Sequence, residues 1–296
     1  MAAAPRARLG TLNVVGCGNV GRALARCWTA TGVFRVGGVV NRSLASAERA
    51  VAFIGEGRAL ASTAELAPAD VVLVGAGDDH IEAASTALCD APLERTAVVF
   101  HASGALASSA LHALRRPGLS LGSAHPAKSF ADAASAARTF AGTHCGIEGD
   151  TEARALLREA FEAIGGRCFE IPAEKKTLYH AALVFVSNYV TSLLEVGLQV
   201  QDEVGIPRDV AQALIAPLAE ECVRNAVARG PAAALTGPIA RGDRGVVRDE
   251  IAALDAWSPA HAELYRALGR VAIALSRAKG KAAPEALRQL EELCRS

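Results

Sequence analysis

The sequence has no excess of either charge: lysine and arginine together number 31, and so do aspartate and glutamate. No chain-wide field is available to gather nucleic acid or an anionic membrane surface, so polyanionic partners are disfavoured. A paired-cysteine pattern is missing as well. Seven cysteines, at 17, 27, 89, 145, 168, 222 and 294, make an odd count with no CxxC, which speaks against a disulfide framework and a zinc site. They read as small buried hydrophobes, and no metal is expected. Met1–Arg8 lacks an apolar core of signal-peptide length and runs into the first strand, so a cytoplasmic location is expected. There is no fixed-period repeat and no low-complexity linker. The longest apolar run, Leu178 to Val200, is long enough to cross a bilayer but carries His180, Asn188, Glu195 and Gln199, so a buried central helix is the expectation.

What the chain does have is apolar material, 51% of 296 residues, enough for one large or two ordinary domains. Near its start, Leu12-Asn-Val-Val-Gly-Cys-Gly-Asn-Val-Gly21 reads as strand, tight turn and helix start. In that context GxGxxG describes a dinucleotide cradle: Gly16 makes the turn, Gly18 lets the backbone approach a pyrophosphate, and Gly21 lets the helix pack on the strand. Cys17, Asn19 and Val20 complete the loop, and the first helical N–H groups face the phosphates.

The end of the second strand, Phe34–Val40, selects between cofactors. An NAD site would place an acid here to hold the ribose hydroxyls, but the residues are Asn41, Arg42 and Ser43. A guanidinium can take a 2′-phosphate in a charge-assisted bidentate pair of roughly 1.5–3 kcal/mol, so NADP is the expected cofactor. An ordinary turn with a solvated arginine is the alternative. Asp70–Ala76 reads as a strand buried on both faces, and Gly75, Ala76 and Gly77 at its end should line the cofactor. Asp78 or Asp79 is expected to cap the following helix. Thr96–His101 repeats the pattern and brings Ser103 toward the nicotinamide end. Leu119–Phe130 delivers His125, held extended by Pro126, with Lys128 and Ser129 beyond it. Thr143–Ile147 and Arg167–Pro172 look like the last strands, around a helix at 152–164.

From Ala173 onward the pattern is helical: 174–204, 208–228, 244–254, 259–279 and 284–295, separated by glycine and proline. The expected architecture is therefore α/β, a doubly wound parallel sheet in 1–172 followed by an all-helical half in 173–296. On the first long helix, at about 100° per residue, Lys176, Ser187, His180, Thr191, Glu195 and Asn188 fall within an arc of roughly 120°. Such a polar flank implies a ligand or partners; the alternative is a face meeting solvent or a neighbouring helix. Reducing a carbonyl with NADPH places negative charge on oxygen, which calls for a proton donor and aimed hydrogen-bond donors. His180 and Lys176 are the candidate acids, with Asn188 and His125 as further catalytic candidates. Ser129, Ser187, Thr191 and Arg241 are the candidate substrate contacts. Arg241 stands in the rigid turn Leu235–Asp243, where it suits a carboxylate. It could equally be a surface residue beside a cap at Asp243.

Taken together, Gly16–Gly21 with Asn41-Arg-Ser43, His101-Ala-Ser-Gly104, Ala124-His-Pro126 with Ser129-Phe130, Tyr179-His180 with Ser187-Asn188, and Leu235-Thr-Gly-Pro238 with Arg241-Gly-Asp243 resemble a bacterial family. It comprises Rossmann-like oxidoreductases whose C-terminal half is catalogued as domain of unknown function 2520, in the 6-phosphogluconate dehydrogenase-like superfamily. The resemblance, which also extends to ketopantoate reductase, 3-hydroxyisobutyrate dehydrogenase, pyrroline-5-carboxylate reductase and prephenate dehydrogenase, implies a homodimer formed by the helical half and a small-molecule substrate held between domains. It makes ketopantoate the leading named substrate, and a prephenate-like substrate is the alternative. One departure stands out: the hydroxyacid-dehydrogenase pattern has asparagine four residues after its lysine, whereas Lys176 is followed at that spacing by His180, and the asparagine is at 188. The expected activity is NADP-dependent hydride transfer to or from a small oxo or hydroxy carboxylate. A non-catalytic NADP-binding sensor or scaffold, or a purely structural dimerisation module, is the competing class.

Overall fold

A computed structural model describes residues 9–295, so the reading of Met1–Arg8 as lacking a leader lies outside the described residues. The chain alternates β1 (Thr11–Val15), α1 (Asn19–Thr31), β2 (Arg35–Val40), α2 (Leu44–Ile54), β3 (Arg58–Leu60), β4 (Val71–Val74), α3 (Asp78–Ala87), β5 (Val98–His101), β6 (Ser120–Pro126), α4 (Ala133–Arg138), β7 (His144–Gly149), α5 (Thr151–Ala163) and β8 (Arg167–Glu170), and α6 (Lys176–Val186) follows. The strands form one sheet in the order β3-β2-β1-β4-β5-β6-β7-β8, parallel throughout except where β6 meets β7. Successive parallel neighbours joined by helices explain the unbroken apolar runs: β4 and β5 are buried at every position. The order reverses between β1 and β4, and the carboxyl ends of those strands open the crevice in which ligands of such sheets bind.

Both faces of the sheet are covered. On one, Trp28 of α1 is fully buried, donates its indole N–H to the Ala160 carbonyl at 2.9 Å, and meets Phe34, Phe100 and Phe161 edge-on. Edge-to-face rings of this kind add to their area burial, and truncating such an indole to alanine costs roughly 3–5 kcal/mol. On the other, Ile81 and Leu88 of the α3 segment and Leu111 and Leu114 of a 3-10 stretch at 108–114 pack against Val72, Val74 and Val99.

A second compact unit begins at Ser187, and the first ends at Val186. The second contains α7 (Asn188–Val204), α8 (Arg208–Arg229), α9 (Pro231–Ala234), α10 (Gly237–Arg241), α11 (Arg244–Trp257), α12 (Pro259–Lys279) and α13 (Pro284–Leu293). Its core gathers Ile239, Val247, Ile251, Ile273, Leu287 and Leu290. The α/β-then-helical plan expected from the sequence is the plan observed, with α6 grouped with the sheet.

Four expectations are corrected. The helix expected over 174–204 breaks at Ser187, whose φ of −120° and ψ of −75° are not helical. The 100° spacing therefore does not carry across that residue. The central helix is not buried. Residues 173–204 are long and apolar enough to cross a membrane, and Leu178, Phe185 and Val186 are about two-thirds exposed. Not every cysteine is buried: Cys89 and Cys222 are exposed. Finally, Gly77 rather than Asp78 or Asp79 occupies the N-cap of α3. The two carboxylates lie in its first turn, where the helix dipole favours them.

Candidate active site

The loop from β1 to α1 has the cradle geometry. Gly16 adopts φ +81°, and a Cβ there would stand 2.6 Å from the Ala76 backbone nitrogen, so only glycine lets the β1 and β4 turns meet. Gly18 faces open space, with nothing within 4 Å of where its Cβ would be, as a backbone approached by a ligand requires. At Gly21 an added Cβ would meet Cys17 Sγ and Val14 at ordinary contact distance. Asn41 ties the turn to β2: its Oδ1 accepts the Cys17 N–H at 2.5 Å and its Nδ2 donates to Ser46 Oγ. Burial pushes the Cys17 thiol up to about 12, so it stays protonated and uncharged. Asn19 faces away, donating to the Phe130 and Ala131 carbonyls, so its side chain docks the loop after β6. Val20 packs against the core beneath.

These turns line a cleft of about 820 Å³, within the range of cofactor sites. Gly75, Ala76 and Gly77 form one wall; Asn41, Arg42 and Ser43 form another. Ser43 also caps α2 by accepting the Ser46 N–H. Arg49, which the sequence reading missed, joins Arg42 on this rim. It is seven residues on and one turn into α2, a spacing that could have drawn attention to it.

A second group of polar side chains gathers at the carboxyl ends of β5 and β6. His101 is fully buried; its Nδ1 accepts the Ser103 N–H at 3.2 Å, and its Nε2 lies 3.0 Å from the Ala107 carbonyl. An Nδ1 that accepts must be unprotonated, so Nε2–H is the donor, and burial holds the imidazole neutral down to about 4. Ser103 Oγ accepts the N–H groups of Ala105 and Leu106, so its side chain shapes this turn. Its carbonyl accepts from Lys176 Nζ at 2.8 Å, and the same ammonium donates to Ser123 Oγ. Lys176 is 1% exposed, and desolvation lowers it to about 8.

His125 stands on the same face of β6 as Ser123, two residues away. Its Nδ1 is 3.1 Å from the Tyr179 hydroxyl, and burial, assisted by the charge of Lys176, lowers it to about 4. The His180 ring lies edge-on at 5.9 Å from that of His125. Gly104 fits between them: a Cβ there would collide with the His180 ring and come within 2.9 Å of His125 Nε2. The structure thus brings together Ser103, His125, Lys176 and His180 of the expected residues. It adds Tyr179, Ser123 and Glu148, which the sequence reading did not assign. The signals for them were the Ser123/His125 alternation in β6 and a lone carboxylate in an apolar strand.

Ser129 is exposed beyond β6. In the second unit, Ser187 breaks the helix, Asn188 is exposed at the start of α7, and Thr191 donates back to the Ser187 carbonyl. Arg241 is paired with Asp243 at 2.7 Å, and Asp243 makes no side-chain cap. Among the described residues, no cluster of three or more metal-ligating side chains occurs.

Residues 143–272 match the family described as domain of unknown function DUF2520, the one the sequence motifs resemble. No curated protein matches the chain in sequence. Among solved structures, protein TM1727 from Thermotoga maritima is similar with a TM-score of 0.73 and 27% identity over 90% of this chain and 99% of that one. BF3122 from Bacteroides fragilis, provisionally named an NADP oxidoreductase, gives 0.70 and 22% over 91% and 97%. A pyrroline-5-carboxylate reductase from Coxiella burnetii gives 0.56 and 16% over 95% and 97%. These neighbours share the Rossmann-like fold with its helical C-terminal region.

Proposed function

We propose that this chain is an NADP-dependent oxidoreductase that transfers hydride between the nicotinamide and a small oxo or hydroxy carboxylate, with a ketopantoate-like substrate as the leading candidate. The observation that carries the reading is one sheet edge bearing both a glycine cradle without a carboxylate on its 41–43 rim and, at β5 and β6, a set of buried proton-handling side chains. The neighbours named as oxidoreductases support it.

The cradle fits the group: the close approach at Gly16, the open space at Gly18 and the N-terminus of the thirteen-residue α1 suit a pyrophosphate. Arg42 and Arg49 would hold a 2′-phosphate. When bound, the nicotinamide supplies or accepts the hydride. The chain's part is to stabilise charge on the substrate oxygen and to move its proton. At neutral pH, His125 is a neutral imidazole whose Nδ1 is engaged by Tyr179, leaving Nε2 for the substrate oxygen. His180, beside it, is the candidate proton donor. Lys176, charged below about 8 and spending two N–H groups on Ser103 and Ser123, acts as fixed positive charge. Ser187, Asn188, Thr191 and Arg241 remain candidates for the substrate carboxylate and its neighbours.

We infer further that the chain works in the cytoplasm as a homodimer. The exposed apolar side chains of α7 and α8, among them Val204, Val210, Leu214 and Leu218, form the surface a second copy would cover. The polar residues within the apolar run favour that cover over lipid.

The test is calorimetric titration with NADPH and NADH, followed by NADPH oxidation with a panel of 2-oxo acids. A guanidinium–phosphate pair of roughly 1.5–3 kcal/mol makes NADPH bind about 10- to 100-fold tighter than NADH, and Arg42→Ala reduces that ratio. His180→Ala lowers turnover by about 10²–10⁴. Equal affinity for the two nucleotides would sink the NADP assignment, and tight NADPH binding without turnover of any oxo acid would favour a sensor.

A further inference from the structure

Glu148 is 4% exposed, a buried carboxylate on β7, which lies between β6 and β8. It faces Ser123 across the antiparallel β6–β7 pair. Three donors converge on it: the Ser108 N–H at 2.5 Å, the Ser108 hydroxyl at 2.9 Å and the Ser123 hydroxyl at 2.7 Å. The other contact of Ser123 Oγ is the Lys176 ammonium. An ammonium can only donate, and a hydroxyl has one proton to give. While Lys176 is charged, the chain of bonds therefore has one polarity, from Lys176 to Ser123 to Glu148. It ends on a carboxylate that can only accept.

We propose that Glu148, acting through the Ser123 hydroxyl, is the positioning residue that fixes the Lys176 ammonium at the carboxyl ends of β5 and β6. The consequence reaches the candidate site, because Lys176 also grips the Ser103 carbonyl in the turn whose Gly104 makes room for His125 and His180. The charged and titratable groups facing Lys176 are Glu148 from β7 and Asp78 from α3, which favour its protonation, and His101 and His125 from β5 and β6, both neutral near pH 7. Glu148 is the larger of the two supports. Without it, the ammonium keeps its desolvation and loses its principal counter-charge. The use of this device in catalysis rests on the oxidoreductase reading; its existence does not.

The experiment is a proton titration of Lys176 by NMR on protein labelled with [13C]lysine. The chain has five lysines, at 128, 175, 176, 279 and 281, and the signal missing from Lys176→Met assigns the one of interest. Wild type is expected to titrate near the lowered value of about 8. Glu148→Gln, nearly isosteric, is expected to move the midpoint down by about one pH unit or more, a tenfold change in proton affinity. Ser123→Ala is expected to move it in the same direction, and it carries the test alone if Glu148→Gln does not fold. A midpoint unmoved in either folded variant overturns the proposal. Failure of the wild type to bind NADPH would remove the oxidoreductase reading and leave these midpoints standing, so the two fail separately.

Discussion

Acidification should weaken this fold through His101 in particular, and by an amount that can be worked out. The imidazole is fully buried between the Ser103 N–H and the Ala107 carbonyl, and burial lowers it from 6.5 to about 4. A second proton would have to displace the Ser103 N–H from Nδ1. Between these two values the unfolded chain binds the proton and the folded chain does not, so stability rises with pH across that window and falls as pH is lowered through it. At 1.36 kcal/mol per unit the full effect is about 3 kcal/mol below pH 4, of which about 2 kcal/mol is already lost at pH 5. Urea unfolding of wild type and His101→Asn at about pH 7.5 and about pH 5 isolates the term. Asparagine can still accept from the Ser103 N–H but cannot titrate. The variant starts less stable, having lost the Ala107 bond, and should then lose about 2 kcal/mol less than wild type on acidification. His125 is present in both proteins and cancels. Equal losses in the two would show that His101 is not held neutral by burial.

Two further outcomes are expected. Gly104→Ala should leave the protein folded but displace the His125 and His180 rings, lowering any NADPH-dependent turnover by about tenfold or more while sparing NADPH affinity; unchanged turnover would remove these rings from the chemistry. Leu218→Glu, on a side chain 58% exposed in the single chain, should weaken self-association in light scattering without lowering the stability of the protomer, and a dimer as tight as wild type would place the contact elsewhere.

Much of the sheet was legible because its strands are buried on both faces, and burial of that kind writes itself as continuous apolar runs such as Val71–Val74. The start of the Gly16–Gly21 turn was legible because at Gly16 a positive φ and the nearby Ala76 backbone leave room for glycine alone. What escaped depends on partners remote in sequence. β3 is three residues long and has no run to recognise. Glu148 stands one residue past the strand end read at Ile147, and its importance comes from Ser123, 25 residues away on the neighbouring strand. The break at Ser187 carries neither glycine nor proline, so the apolar pattern runs through it and reads as one helix where there are two. Exposure of the following helices reverses the expectation of a buried segment for a related reason: composition reports how much apolar surface needs covering, not which chain covers it.

The clasp between Asn41 and the Cys17 amide has a bearing on how such a protein could change its nucleotide. If the rim at 41–43 takes the 2′-phosphate, as proposed, the residue that opens it is also the one that holds the glycine turn in shape. Aspartate at 41 would preserve the acceptor while setting a negative charge on the rim, whereas an aliphatic residue would release the loop altogether. On that proposal, divergence toward the unphosphorylated nucleotide is channelled into Arg42, Ser43 and Arg49, and a chain that makes the exchange should keep an acceptor at 41.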